Sequence, residues 1–265
     1  MLRQRVLTAL ILVPLALAGL FGLSGAPFAL FTGAIVLLAA WEWVNLAGFE
    51  AAKVRLVGVA SVALAMLLLW GSGAAHAVWP LWLGAIGWLA NLYWIVHYPE
   101  RQEQWRARPR RLVMGLWILL PCWVGFIALR DSGAEWLLFV LLLVWCADTG
   151  AYFAGRAFGR HKLAPRVSPG KSWEGVLGGM AAATLLALVF AVWLGLSVGQ
   201  TLGLVVITLI VTLVSVLGDL QESMLKRLRG IKDSSALLPG HGGVLDRIDS
   251  LTAAVPVFAL LRLWI

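Results

Sequence analysis

Four aspartates stand where so apolar a chain should carry no charge: Asp148, Asp219, Asp246 and Asp249 each fall at or beside the end of an apolar run. A carboxylate at that depth is costly unless a cation shares it. Hard oxygen donors suit Mg²⁺ or a similar ion, one or two of them, a monovalent cation being a further option. Asp219, Ser223 and Lys226 recur at i, i+4 and i+7, which places a carboxylate, a hydroxyl and an ammonium along one helical stripe. Asp246 and Asp249 share a face in the same way, and Asp148 and Tyr152 form a third polar stripe. The expectation is of carboxylates from separate helices meeting around a divalent cation, with Asp219, Asp246, Asp148 and Asp249 as its ligands. Glu42, between Trp41 and Trp43, reads equally well as a further carboxylate at that level or as part of an interfacial anchor.

Two polar segments supply groups for phosphate. Ser168-Pro-Gly-Lys-Ser172 contains the tripeptide GKS, but a Walker A loop needs glycine where Pro165 stands and a strand before it, and no strand is expected there. What remains is a Gly-Lys pair just before an apolar run, with Lys171, Ser168 and Ser172 able to approach an anion. The second segment runs Ser223-Met-Leu-Lys-Arg227, Lys232-Asp233, Pro239-Gly-His-Gly-Gly243, Asp246-Arg-Ile-Asp249. Its glycines, Gly242 and Gly243 among them, free the backbone around His241, while Lys226, Arg227, Lys232 and Arg247 supply compensating charge.

The elements that must carry these residues are membrane helices. Of the 265 residues 61% are hydrophobic and 13% charged, with a mean hydropathy of +0.90, outside the range of water-soluble domains. Glycine, proline and charge divide the chain into nine candidate spans, near residues 6–23, 28–46, 56–71, 77–96, 112–129, 134–154, 174–195, 200–220 and 248–263. The fold expected is an all-α, polytopic membrane bundle of about nine transmembrane helices. With the N-terminus cytoplasmic, 19 of the 21 basic residues lie on the inner side, Arg130 and Arg262 alone falling outside. Arg3 and Arg5 then precede an uncleaved first span rather than a signal peptide. That distribution also explains the net charge of +8 without a nucleic-acid partner. The arginines at 101, 106, 108, 110 and 111 read as a topogenic anchor attracted to anionic lipid. Cys122 and Cys146 have no metal-ligand spacing and read as small buried hydrophobes. Residues 1–140 are expected to be structural or oligomerising helices, residues 141–265 the catalytic region with two cytoplasmic loops. Gly155 and Gly159 hint at close helix contacts without saying between which helices.

Ser223 to Asp249 resembles the signature of the phosphatidate cytidylyltransferases, S-x-hydrophobic-K-R-x4-K-D followed by hydrophobic-P-x-H-G-G-hydrophobic-x-D-R-hydrophobic-D, at every position. Asp148-Thr-Gly-Ala-Tyr152, Gly155-Arg156, Gly159 and Ser168 to Gly175 resemble the same family's second block, whereas residues 1 to about 140 match only in being apolar and helical. The resemblance implies a reaction of CTP with phosphatidate that yields CDP-diacylglycerol and pyrophosphate in the inner membrane, with a divalent metal. Under that reading Asp219, Asp246, Lys226 and Lys171 are the catalytic set. Ser223, Arg227, Lys232, His241, Gly242, Gly243, Arg247, Tyr152, Ser168 and Ser172 bind substrate. His241 is then a phosphate contact rather than a base, because a phosphate nucleophile is already ionised. Membrane lipids are the other partners, and a homodimer stays open. The alternatives are a CTP-dependent polyprenol or diacylglycerol kinase and, at greater distance, a transporter, whose membrane carboxylates would sit near the midplane. The motif of a CDP-alcohol phosphotransferase is absent.

Overall fold

The computed structural model describes residues 2–265, the side chains of residues 2–7 and 9 excepted, so the expected inner charges Arg3 and Arg5 lie outside the described set. Among the described residues nine α-helices follow one another: α1 (Leu2–Gly22), α2 (Gly25–Leu46), α3 (Ala52–Gly71), α4 (Trp79–Val96), α5 (Arg108–Asp131), α6 (Ala134–Phe158), α7 (Trp173–Leu194), α8 (Val198–Arg229) and α9 (Leu245–Leu261). Six of them, α2, α3, α5, α6, α7 and α8, are long and apolar enough to cross a membrane. Large apolar side chains such as Leu30, Leu67, Leu89 and Val192 face outward, as a bundle solvated by lipid requires and a water-soluble one avoids.

α9 has a different place. Every residue from Ser250 to Leu260 is buried, and the helix packs against α8, α5 and α4, so it is the internal strut of the bundle. α6 and α7 form the most intimate pair. A Cβ on Gly150 would stand 2.7 Å from the Gly178 carbonyl oxygen, so only small residues let the two backbones approach this closely. This places the contact hinted at by Gly155 and Gly159: Gly155 lies against Ser172 and Gly175.

Two expectations need correction. Residues 162–172 are not a plain loop: β1 (Lys162–Ala164) and β2 (Ser168–Ser172) pair antiparallel, so a short hairpin interrupts the all-α plan and a strand does precede the GKS tripeptide. The tripeptide lies within β2 itself, and a strand in that place cannot cradle phosphate as a Walker A loop does. The second correction concerns α8, which runs on to Arg229 instead of ending near residue 220. Its 32 residues measure about 48 Å, against a hydrocarbon core of roughly 30 Å. The final turns, from Asp219 onward, therefore stand beyond the apolar stretch as a rigid rod.

Candidate active site

The charged end of α8 is the axis of the site. Lys171, at the end of β2, forms an ion pair of 2.6 Å with Asp219 Oδ2, and Ser223 Oγ donates to Asp219 Oδ1 at 3.1 Å. Asp148 on α6 lines the same cavity of about 460 Å³ with Tyr152, Arg156, Lys171, Ser172 and Asp219. It makes no hydrogen bond to a described residue, and the charges of Lys171 and Asp219 act on it. Tyr152 Oη accepts a hydrogen bond from Arg156 Nη1 at 3.1 Å. Ser172 is the N-cap of α7, its Oγ accepting from the Gly175 amide at 3.2 Å. Glu174 in the first turn of α7 accepts from the Arg160 and His161 amides and holds the start of the hairpin in place. Ser168 opens β2 opposite Ala164 and does not line this cavity.

One turn further along α8, Lys226 Nζ lies 3.0 Å from Glu222 Oε2 and 2.8 Å from Asp246 Oδ1. Asp246 is a hub: its carboxylate also accepts from the Ser234 amide at 3.0 Å and from the Gly243 amide at 2.7 Å. It thereby folds the segment after α8 back onto the start of α9. Asp249 is half-buried, accepts from the Ser250 amide at 2.7 Å and lies in electrostatic range of Asp219. Arg227 points the other way and fixes the hairpin turn by donating from Nε to the Val167 carbonyl at 3.1 Å.

The glycine-rich segment encloses a second polar cavity of about 640 Å³, lined by Lys232, Asp233, Ser235, His241, Gly242 and Arg247 among others. The Leu238 amide donates to the Gly242 carbonyl at 2.8 Å, closing the turn, and Gly242 adopts φ +82, open to glycine at little cost. Gly243 is required for a different reason. A Cβ there would stand 2.6 Å from both carboxylate oxygens of Glu42.

Glu42 is the functional residue that sequence reasoning left undecided. It is fully buried on α2, yet each of its oxygens accepts one serine hydroxyl and one backbone amide from the loop. Ser235 Oγ at 2.5 Å and the Val244 amide at 3.0 Å meet Oε1, while Ser234 Oγ at 3.1 Å and the Leu245 amide at 2.6 Å meet Oε2. The carboxylate thus caps the N-terminus of α9, where the helix dipole favours an anion, and pins the loop. Glu222 was missed altogether. Its signal was its place between Asp219 and Lys226 on a helix that was expected to have ended.

The structure therefore brings Asp148, Asp219, Lys171, Tyr152 and Ser172 to one hollow, and Lys232, His241, Gly242 and Arg247 to another. Lys226, Asp246, Gly243 and Asp249 line neither, but Lys226 ties the end of α8 to Asp246, which in turn holds the Gly243 amide. Among the described residues no three Asp, Glu, His or Cys side chains gather at ligating distance. Asp246 has its oxygens engaged by Lys226 and the backbone and Asp219 by Lys171 and Ser223, whereas Asp148 makes no hydrogen bond to a described residue and lines the same hollow as Asp219. That pair has the hard-oxygen chemistry a divalent cation takes.

Comparison with known proteins finds relatives over the whole chain. The sequence profile of the cytidylyltransferase family matches residues 3–264. The chain is 52% identical to a phosphatidate cytidylyltransferase of Pseudomonas aeruginosa, covering all of this chain and 97% of the relative. It is 42% identical to one from Haemophilus influenzae, over 98% of each, and 37% identical to one from Brucella suis, over 98% of this chain and 92% of the relative.

Proposed function

The chain belongs to the cytidylyltransferase family, and on that premise we propose that it transfers the cytidylyl group of CTP to phosphatidate, giving CDP-diacylglycerol and pyrophosphate. It is a membrane nucleotidyltransferase of phospholipid synthesis. The observation that carries the reading is the pair of cation-lined hollows, one among the helices with Lys171 and Arg156 and one in the glycine-rich loop with Lys232 and Arg247, with the end of α8 tied to the loop by the ion pair of Lys226 and Asp246. A reaction between two phosphorylated molecules needs positive charge about both phosphates.

In the transfer a phosphatidate oxygen attacks the α-phosphorus of CTP. The bond from that phosphorus to the α,β-bridging oxygen breaks, and its electrons leave with pyrophosphate. Lys171, held by Asp219, and Lys226, held between Glu222 and Asp246, offer fixed positive charge where the approach of two anions must be compensated. Lys232, His241 and Arg247 line the loop cavity and would hold the nucleotide's phosphates, with the Gly242 and Gly243 backbone giving close approach. Mg²⁺ would be held by Asp148 and Asp219, with Asp249 and Asp246 adding negative charge behind them. When bound, it would offset charge on the phosphates and on the leaving pyrophosphate.

An apolar cavity of about 870 Å³ between α4, α7, α8 and the hairpin shares Val176 with the Asp148 hollow and is lined by Ile95, Leu163, Ile210, Leu213 and Leu217. It fits the acyl chains of phosphatidate, the surface that periodicity could not name because these helices are apolar nearly all round. The placing of 19 of 21 basic residues supports nine crossings with the N-terminus and the site on the cytoplasmic side of the inner membrane. The ion pairs of Lys171 with Asp219, Lys226 with Asp246 and Arg229 with Glu50 support one shared end of the bundle for the end of α8, the starts of α7 and α9 and the turn after α2.

Purified protein given phosphatidate and CTP labelled at the α-phosphorus should place label in the lipid and release unlabelled pyrophosphate, with turnover lost in EDTA and restored by Mg²⁺. Label in the lipid only from γ-labelled CTP would mean a kinase. For His241→Gln the expected result is a KM for CTP raised about tenfold, the effect of one charge-assisted hydrogen bond, with kcat largely kept. A collapse of kcat with unchanged CTP binding would instead require His241 to move a proton.

A further inference from the structure

A third cation-lined cavity, of about 590 Å³, opens at the same end of the bundle, between the turn after α2, the segment leading into α5 and the last turn of α8. Arg106, Arg108, Arg110, Arg111 and Arg229 line it with a single acid, Glu103, and it shares no lining residue with either hollow of the active site. Five like charges around one concavity repel one another unless something of opposite charge joins them. The protein's own acids do little of this. Glu103 reaches Arg106 at 3.2 Å and Glu50 reaches Arg229 at 2.7 Å, but their side chains are 82% and 74% exposed, where such pairs are weak. The hydrogen bond from Arg229 draws the Glu50 carboxyl below the ordinary carboxylate range, so that acid is already engaged. Arg108 forms no ion pair with a described residue.

Burial sharpens the point. Arg111 is only 6% exposed; its Nη1 donates to the Leu46 carbonyl at 3.1 Å, while its Nε, like the Nε of Arg229, is buried with no acceptor among the described residues. An unpaired buried guanidinium donor is costly. A loop serving only to set orientation needs a count of charges, not a buried arginine. Gly48 makes the convergence sterically feasible: it holds φ +96, and a Cβ there would stand 3.2 Å from both Arg108 Nε and Arg111 Nη2. Arg110 spends its Nη1 on the Glu103 and Gln104 carbonyls, but the guanidinium groups that line the concavity together carry the forked donors that match the oxygens of a phosphate.

We propose that this cavity is a second phosphate site, separate from the reaction hollows, that takes the phosphate of an anionic phospholipid headgroup or of a free phosphate compound. Arg106 and Arg108 are exposed and belong to neither hollow, so R106Q/R108Q should fold and keep its turnover. Native mass spectrometry of the whole protein in non-ionic detergent would compare short-chain phosphatidylglycerol, phosphatidylcholine of the same chains, and pyrophosphate. Wild type should hold one more equivalent of phosphatidylglycerol or of pyrophosphate than the double variant does, with affinity for it falling at least about tenfold on substitution. Phosphatidylcholine should show no such difference. A difference with phosphatidylglycerol alone identifies a headgroup site, and one with pyrophosphate alone a site for free phosphate. Equal binding by wild type and R106Q/R108Q in both arms, in protein that retains turnover, would overturn the proposal. R106K/R108K, which keeps the charge, should recover the extra equivalent in part, and its failure to bind more than R106Q/R108Q would count against a charge-recognising site.

Discussion

Asp219→Asn should lower kcat about a thousandfold, the scale on which removing a group that compensates transition-state charge is felt. The amide keeps the size of the side chain and can still accept from Ser223. It cannot hold Lys171 with full charge, and it cannot serve as a hard anionic ligand. Lys171 would be left facing Asp148 across the hollow, so Asp148→Asn made on top of Asp219→Asn should cost much less than it does alone. Steady-state turnover in detergent micelles, titrated with Mg²⁺, measures both effects. An Asp219→Asn enzyme that kept a tenth of wild-type activity at ordinary Mg²⁺ would remove this carboxylate from the chemistry. Simple additivity in the double variant would separate Asp148 from it.

The second large effect belongs to Glu42→Gln, far from the reacting atoms in sequence and without contact to either hollow's lining beyond Ser235. Each oxygen of Glu42 receives one amide and one hydroxyl. A glutamine must turn its NH₂ toward one of these pairs, and while a serine can rotate away, the Val244 or Leu245 amide cannot. One buried N–H is left opposed by a donor and the charge at the start of α9 is lost, together about 3 kcal/mol of local stability. The loop of residues 232–243 should then open. Trypsin should cut after Lys232 at least tenfold faster than in wild type, and kcat/KM should fall about a hundredfold, the factor that such a free energy corresponds to. Ser234→Ala/Ser235→Ala, which leaves both amide bonds in place, should lose far less. Wild-type resistance to trypsin in Glu42→Gln would show that the loop is held by something else.

The chemistry was legible in the sequence where polar residues recur at helical spacing against an apolar background. Asp219, Ser223 and Lys226 sit on one stripe as their spacing implies, although Lys226 turned out to face Asp246 and Glu222 rather than Asp219. Helix positions were legible because burial in lipid demands long apolar runs. The continuation of α8 was not, because its last turns leave the apolar background and read like any charged loop; their helicity comes from packing against the hairpin and α9. The hairpin escaped for a related reason. Ser168 to Ser172 has no alternation of apolar and polar residues, and what makes it a strand is pairing with Lys162–Ala164 and the cap it gives α7. Glu42 could not be decided from its neighbours at all. Trp41 and Trp43 mark it as interfacial, and nothing local reveals that its partners are supplied by the far end of the chain.

That long separation bears on how the protein is made. The serines and amides that satisfy Glu42 follow it by 192 to 203 residues, and at ordinary elongation rates a ribosome takes roughly 10–40 s to reach them. Through that interval α2 carries a bare carboxylate, and any chain that stops early keeps one. The loop of residues 232–243 can set only once the last helix has been threaded among the others. Copies that stop before Val244 therefore keep this acid without the amides that cap it, and lack the last helix altogether.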